Sequence, residues 1–273
     1  TFSDVSRHGT QRWTVGDIMA RSSNVGAILI AERTGEEALR AGLLALGASR
    51  PTGLGFPGEV AGRLPGPGEW WATTLPTVAI GYGTSTTLLG LATSYATIAN
   101  DGVRVEPRLV RGTVGADGRL EPAAPAASER VLSARTAGVV RELLGAAVDG
   151  EGATGSLAAV PGYRVGGKTG TARKPLADAA GYSDEYVSSF VGLAPLDDPR
   201  LVVAVMVDAP QGAYYGGAVA APAFAEVMHA SLLARRIVPD GSGRSLDELV
   251  RATVPAAVAT AAPAAPAADP TAP

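Results

Sequence analysis

Three strand-forming segments in the second half of the chain constrain its fold more than any other feature. They cover residues 163–171, 186–193 and 201–207 and are rich in Val, Tyr, Phe and Thr. Parallel neighbours need a long crossover connection, usually a helix, whereas antiparallel neighbours can be joined by turns. Because these segments follow one another through turns, the sequence predicts an antiparallel sheet.

Helical patterns lie on both sides of this predicted sheet. Thr14 and Asp17 fit a capping box at the start of a helix, whose apolar pattern is interrupted at residues 22–24 and ends at Gly35. The remaining predicted elements are helices at 36–46, 86–99, 134–148 and 218–234, a hairpin at 103–120 and a strand at 1–5. The predicted fold class is therefore α/β in its α+β form, an antiparallel sheet flanked by helices.

The composition excludes several classes of function. A net charge of -3 and a pI of about 5.5 leave no broad basic field, so nucleic acid is not an expected partner. The chain has no cysteine, which excludes thiolate metal sites, disulfides and a cysteine nucleophile. No stretch reaches the ~20 consecutive apolar residues of a membrane span, and residues 1–20 lack the layout of a signal peptide.

The chain divides into a long globular part and an unusual end. Its 273 residues, 46% of them hydrophobic and 18% charged, are enough for a sizeable core, which we place in residues 1–235. Residues 236–253 are predicted to form a short C-terminal extension. Residues 254–273 are almost entirely Ala, Pro and Thr, so we expect a disordered tail there.

A lysine in an otherwise arginine-rich chain marks the first predicted strand. Lys168 and Lys174 are the only lysines among 23 basic residues. The run around Lys168 fits the phosphate-loop pattern G-x-x-x-x-G-K-[ST] with Gly162, Gly167, Lys168 and Thr169. A phosphate loop needs a helix that begins at its lysine, whereas Gly170 and Pro175 oppose a helix there. A nucleotide site therefore remains the weaker interpretation.

The stronger interpretation places Lys168-Thr169-Gly170 on a strand. Alternation then directs Lys168 and Gly170 to one face and Thr169 and Thr171 to the other. Gly170 leaves the strand surface bare, so the backbone of a substrate can lie alongside it as an added strand. The N–H of Thr171 is then available to stabilise an oxyanion, which is a requirement of acyl transfer.

Two motifs in sequence order connect this strand to a known family. Ser22-Ser23-Asn24 fits S-x-N and Lys168-Thr169-Gly170 fits K-T-G, two of the three motifs of penicillin-recognising serine enzymes. The chain further resembles class B penicillin-binding proteins in residues 21–26, 99–102, 167–172, 189–192 and 215–224. The resemblance covers residues 2–234. It implies a penicillin-binding-protein and serine β-lactamase-like transpeptidase fold, of which residues 1–235 would be the C-terminal portion.

The resemblance implies a role for each motif residue in cross-linking peptidoglycan stem peptides that end in D-Ala-D-Ala. Ser22 would relay a proton to the leaving amine, and Asn24 would hydrogen-bond the substrate amide and a catalytic lysine. Lys168 would maintain the proton network and the positive potential. Thr169 and Gly170 would bind the substrate, Thr169 through the carboxylate of the peptide or of a β-lactam, and the N–H of Thr171 would form half of the oxyanion hole. No metal or organic cofactor is implied.

One motif of the family is absent from this chain. The residues three positions before the two lysines are Val165 and Thr171, so no S-x-x-K exists. In the family this motif precedes S-x-N by some tens of residues, and it carries the nucleophile and its lysine base. We therefore expect the chain to be N-terminally incomplete and inactive alone. The resemblance implies an upstream membrane anchor, a location on the extracytoplasmic face of the bacterial membrane, and cell-wall synthesis or division proteins as partners.

Three alternatives remain open from the residues alone. The chain could be a noncatalytic relative that acts through protein contacts in the divisome, in which case the missing motif would be a true absence. Ser22 and Asn24 could also form an ordinary helix break, since Ser and Asn favour such positions. The nucleotide-binding interpretation is the least favoured of the functions.

Overall fold

The structure of this protein is a computed structural model, and it describes residues 2–176, 181–239, 241, 243 and 245. The helices in this part are α1 (Val15–Arg21), α2 (Asn24–Thr34), α3 (Glu36–Ala45), α4 (Thr74–Ala79), α5 (Leu88–Ala99), α6 (Ala134–Asp149) and α7 (Gly216–Ala234). The strands are β1 (Val103–Val105), β2 (Gly112–Val114), β3 (Leu120–Pro122), β4 (Ser128–Arg130), β5 (Gly166–Pro175), β6 (Tyr182–Ala194) and β7 (Leu201–Asp208). A single 3-10 turn, Ser156–Ala158, precedes β5.

The main sheet has three strands in the order β5-β6-β7, and both pairs are antiparallel. Lys168 lies opposite Val191, and Phe190 lies opposite Val205. The α+β class and the antiparallel sheet predicted from the sequence are thus confirmed. The first strand begins at Gly166 rather than at residue 163, because Tyr163 closes a turn with Val160 and its hydroxyl donates to the carbonyl of Ile237 at 2.6 Å.

The principal core lies between this sheet and α7. Phe224, Met228 and Leu232 of α7 are fully buried, and the Phe224 ring packs against Phe190 of β6 with centroids 4.6 Å apart. Among the described residues, α7 is the one helix long and apolar enough to cross a membrane. Its buried face packs on the sheet, which accounts for its apolar composition.

A second cluster lies under α5 and α6. It joins Ile98, Leu144, Leu193 and Leu196, all of which are buried. Local capping sets where these helices begin: the hydroxyl of Thr87 accepts from the N–H of Gly90 at 2.9 Å, so α5 starts at Leu88 rather than at the predicted residue 86.

Several predictions about peripheral elements need correction. The predicted hairpin exists between β2 and β3, but β1 pairs with β4 outside it. No strand forms at residues 2–5, because the hydrogen bonds of this segment go to the α1–α2 junction. The tail at 254–273 lies outside the described residues, as does most of the extension at 236–253.

Candidate active site

A cleft of about 910 Å³ lies between the α1–α2 junction, strand β5 and the loop that enters α7. Five of the six predicted site residues line it: Ser22, Asn24, Thr169, Gly170 and Thr171. The sixth, Lys168, is half-buried and reaches this cleft through its ammonium group. Segments distant in the sequence therefore meet at one surface.

The S-x-N motif forms the junction between two helices. Ser22 ends α1 in the left-handed conformation with φ 55°, and its N–H bonds back to Ile18 and Met19. Ser23 caps α2 by accepting from the N–H of Gly26 at 2.9 Å. A non-glycine residue in the left-handed region is uncommon and costs ~1 kcal/mol or more, and such positions cluster at functional sites. The break predicted at residues 22–24 is present and turns Ser22 into the cleft.

A carboxylate that is largely shielded from solvent holds this junction in place. Asp4 accepts from the Ser23 hydroxyl at 2.9 Å and from the N–H of Val25 at 3.0 Å, and Nε2 of His8 lies 2.9 Å from it. Burial raises the pKa of the Asp4 carboxyl, but the bonds from Val25, His8 and Ser23 outweigh burial and leave the pKa below 3.8. Sequence reasoning missed Asp4, because a single aspartate in an irregular segment carries no pattern.

Replacing Asp4 by alanine is expected to destabilise the fold by about 1–3 kcal/mol at neutral pH, because Ser23, which is buried, loses its acceptor. The folded-state pKa lies below the unfolded value of 3.8, so the charge contributes stability above that pH and loses it as the pH falls through the folded-state pKa. Urea unfolding of both proteins at about pH 7 and about pH 3 measures the difference.

The matched control for Asp4 is Glu151→Ala, which removes a carboxylate that is 95% exposed. This change is expected to leave the free energy of unfolding nearly unaltered. An Asp4→Ala penalty that is equally large at low pH would show that the charge of Asp4 does not hold the junction.

Lys168 joins the two motifs. Its Nζ donates to the hydroxyl of Ser22 at 2.8 Å, to the hydroxyl of Thr169 at 3.1 Å and to the carbonyl of Thr169 at 3.3 Å. Three donated bonds match the three N–H groups of a protonated lysine. Burial lowers the pKa of Lys168 to about 8, so the ammonium form persists at neutral pH but titrates more readily than an exposed lysine.

The nucleotide-binding interpretation is wrong for this lysine. Lys168 lies inside β5, paired with Val191 of β6, and the strand continues for several residues beyond it. No helix begins at Lys168, so the free helical N–H groups of a phosphate loop are missing at this point. The strand interpretation of K-T-G is confirmed.

The three residues after Lys168 form one wall of the cleft. β5 is an end strand of the main sheet, and Thr171 accepts from the N–H of Gly216 at 2.9 Å. A Cβ on Gly216 would lie 2.4 Å from the carbonyl of Gly170, so glycine allows α7 to approach the strand. Strand alternation separates Lys168 from Thr169, yet the long lysine stem brings the ammonium to the Thr169 hydroxyl. The oxyanion role of the Thr171 N–H remains a prediction.

Asn24 lines the cleft from the other side. Its Nδ2 donates to the carbonyl of Ser3 at 3.1 Å. The predicted hydrogen bonds from Asn24 to a substrate amide and to a second lysine remain predictions.

Aromatic side chains form a second wall that the sequence did not predict. Tyr186 and Tyr214 stack with centroids 4.2 Å apart, and Tyr215 packs on Tyr214 at 4.6 Å. The Ser188 hydroxyl donates to the carbonyl of Tyr214 and fixes the loop that carries both tyrosines. The Tyr214-Tyr215 pair was visible in the sequence, but its contact with Tyr186 depends on the pairing of β6 with β7.

The chain is similar in sequence to known protein families and proteins. The model "Penicillin binding protein transpeptidase domain" matches residues 2–229. The chain is 40% identical to penicillin-binding protein PbpB of Mycolicibacterium smegmatis over 88% of its own length and 38% of the relative. It is 37% identical to the probable peptidoglycan D,D-transpeptidase PbpC of Pseudomonas aeruginosa, over 88% of this chain and 40% of the relative.

A solved structure of a similar protein has the same fold as this chain. Penicillin-binding protein 3 of Mycobacterium tuberculosis, complexed with aztreonam, superposes with a TM-score of 0.80 at 38% identity, over 86% of this chain and 54% of that one. The chain spans less than half the length of the two curated relatives it matches here. With S-x-N and K-T-G joined by Lys168 in a fold of this kind, the chain belongs to the penicillin-binding protein transpeptidase family.

Proposed function

We propose that this chain is part of a peptidoglycan D,D-transpeptidase, a serine acyltransferase that cross-links stem peptides ending in D-Ala-D-Ala and that β-lactams acylate. The observation that carries the proposal is the 2.8 Å bond from Lys168 to Ser22, which places a partly desolvated ammonium against the hydroxyl of the S-x-N motif. Penicillin-binding protein 3 of M. tuberculosis has been solved with aztreonam and with ampicillin, which supports β-lactams as ligands.

The proposed acylation step needs a serine from an S-x-x-K motif, which residues 1–273 do not contain. The hydroxyl oxygen of that serine attacks the carbonyl carbon of the penultimate D-Ala, and the C–N bond to the terminal D-Ala breaks. Ser22 passes the proton taken from the attacking serine to the leaving amine and ends the step as a neutral hydroxyl. The amine of a neighbouring stem peptide then attacks the ester carbonyl, and the bond from that carbonyl to the serine oxygen breaks. A proton from the amine returns to the serine oxygen, which leaves the cross-linked peptide and a free serine.

The remaining groups of the cleft bind and polarise the substrate. The Thr169 hydroxyl, which accepts from Lys168, binds the terminal carboxylate. Gly170 allows the peptide backbone to lie along the free edge of β5. The Thr171 N–H supports the developing oxyanion, an interaction typically worth about 3–4 kcal/mol in such sites. Asn24 holds the substrate amide.

We also propose where the whole protein acts. Its substrate, peptidoglycan, lies outside the cytoplasmic membrane, so the domain belongs on the extracytoplasmic face of the bacterial membrane, held by an upstream anchor. Cell-wall synthesis or division proteins are its proposed partners. Peptidoglycan D,D-transpeptidase FtsI of Escherichia coli, which is 35% identical to this chain over 38% of its own length, supports the role in cell-wall synthesis.

Labelling with a fluorescent penicillin tests the proposal. Residues 1–273 alone are expected to remain unlabelled, because the nucleophile motif is not among them, whereas a longer natural chain with an in-frame S-x-x-K is expected to be labelled at that serine. Intact-mass measurement and peptide mapping locate the adduct.

The outcomes separate the enzyme from its alternative. An adduct on residues 1–273 would contradict the assignment of the nucleophile to an S-x-x-K motif. An upstream sequence that lacks S-x-x-K, together with no labelling of the longer chain, would overturn the enzyme proposal in favour of a noncatalytic relative.

A further inference from the structure

Thr154 lies in the loop between α6 and β5, outside every motif discussed above, and it lines the cleft. Its N–H donates to the carbonyl of Ala20, near the end of α1, at 3.0 Å. Its hydroxyl lies 3.4 Å from the same carbonyl. The main-chain bond therefore fixes the residue, while the side-chain bond is long and weak.

The same hydroxyl lies 3.2 Å from the hydroxyl of Thr169. Thr169 in turn accepts from Lys168 at 3.1 Å, so its own hydrogen is available for donation. Thr154 is exposed to the cleft and Thr169 is half-buried beside it. Two hydroxyl groups thus lie side by side, and Thr169 also contacts the ammonium group of the half-buried Lys168.

The first turn of α7 closes this arrangement from a third side. A Cβ on Gly217 would lie 2.3 Å from the carbonyl of Thr154 and 3.5 Å from Cγ2 of Thr169. Glycine is therefore required for the close approach of the helix. The N-terminus of a 19-residue helix adds partial positive charge to that of Lys168.

We propose that Thr154 is a second hydroxyl donor to the carboxylate of the substrate, paired with Thr169. A carboxylate has two oxygens, so each hydroxyl can donate to a different one. On binding, Thr154 exchanges its weak bond to Ala20 for a charge-assisted bond, while its N–H keeps the main chain in position. This inference rests on the proposed function, since it assigns a new residue to the substrate carboxylate.

Reversible binding to the 273-residue chain tests the assignment without acylation. The probes are diacetyl-L-Lys-D-Ala-D-Ala and its C-terminal amide, which differ in the carboxylate alone, and NMR titration gives both dissociation constants. We expect Thr154→Val to weaken binding of the acid about tenfold, the effect of losing one hydrogen bond to a charged group, and to leave binding of the amide unchanged. Thr154→Ser keeps the hydroxyl and is expected to bind the acid nearly as the wild type does.

Three further variants make the result decisive. Thr34→Val is the matched control, because Thr34 is an exposed threonine of α2 outside the cleft whose hydroxyl bonds within its own helix. Thr154→Ala repeats the test if the valine variant loses the native NMR spectrum. Thr169→Val tests the proposed function itself, since it removes the carboxylate donor assigned above.

The pattern of effects tells the two proposals apart. If Thr169→Val weakens binding of the acid and neither Thr154→Val nor Thr154→Ala does, the inference about Thr154 is wrong and the proposed function stands. If the wild type does not prefer the acid to the amide, or Thr169→Val has no effect, the proposed carboxylate site is wrong as a whole. Equal weakening of acid and amide by Thr154→Val would show a structural role and overturn the inference.

Discussion

Replacing Lys168 by methionine is expected to lower the rate constant for acylation of the longer, S-x-x-K-containing chain by a penicillin by at least ~10²-fold, the usual effect of removing one preorganised donor. The ammonium donates to both Ser22 and Thr169. Its loss therefore removes a hydrogen bond that positions the proton-relay serine and one that positions the carboxylate-binding threonine. Stopped-flow or gel-based labelling measures the rate constant.

Lys168→Met is expected to fold as stably as the wild type. A loss of acylation in this variant would therefore reflect lost function and not lost stability. Burial lowers the pKa of Lys168 from 10.5 to about 8, so the charged form is disfavoured in the folded state. Methionine has a similar length and carries no charge. Urea unfolding at neutral pH is therefore expected to show a free energy of unfolding no lower than that of the wild type.

The pH dependence of the acylation rate tests whether the charged form of Lys168 is the active one. Protonated Lys168 donates the three bonds, so acylation is expected to fall as the pH rises through about 8. Lys168→Arg keeps a charge that does not titrate in this range. The acylation rate of this variant, whatever its absolute value, is therefore expected not to fall as the pH rises through about 8. If the acylation rate of the arginine variant still falls near the same pH, another group causes the fall, and the role proposed for Lys168 is contradicted.

Replacing Phe224 by alanine is expected to lower the free energy of unfolding by about 3–5 kcal/mol, the usual cost of deleting a fully buried phenylalanine. The side chain is fully buried, and its ring packs on Phe190 at the centre of the main sheet. The resulting cavity lies between α7 and β6, the two elements that position the tyrosine-bearing loop and the K-T-G strand. Urea unfolding followed by circular dichroism measures the loss.

The control for Phe224 lies on the same helix. Val227 is 48% exposed, so Val227→Ala removes apolar atoms of α7 without opening a core cavity and is expected to change stability by less than about 0.5 kcal/mol. Equal losses in the two variants would contradict the importance assigned to the buried packing of Phe224 on the sheet.

The sequence predicted the main sheet because its strands carry their own signal. Residues 186–193 and 201–207 are rich in β-branched, aromatic and other apolar residues, and each segment lies within an observed strand, Tyr182–Ala194 and Leu201–Asp208. The pairing and the ends of the shorter strands were harder to predict, because contacts between residues distant in the sequence determine them. Residues 103–105 have strand composition, but their partner at 128–130 is short and exposed and has no apolar pattern.

The candidate site was predictable where residue type and spacing carry the chemistry. Ser22 and Lys168 were identified from triplets, and the structure places them in contact. Asp4 and Thr154 were not predictable, because their importance comes from distances to residues far away in the sequence. A short-range pattern does not contain that information.

The bond between Ser22 and Lys168 also bears on how the protein folds. It joins residues 146 positions apart, so closing that loop costs entropy that the contact itself does not repay. We therefore expect this contact to form after the sheet and the helices that carry the two residues. On this expectation the cleft is completed late in folding, and a partly folded chain that retains the sheet would have no binding site.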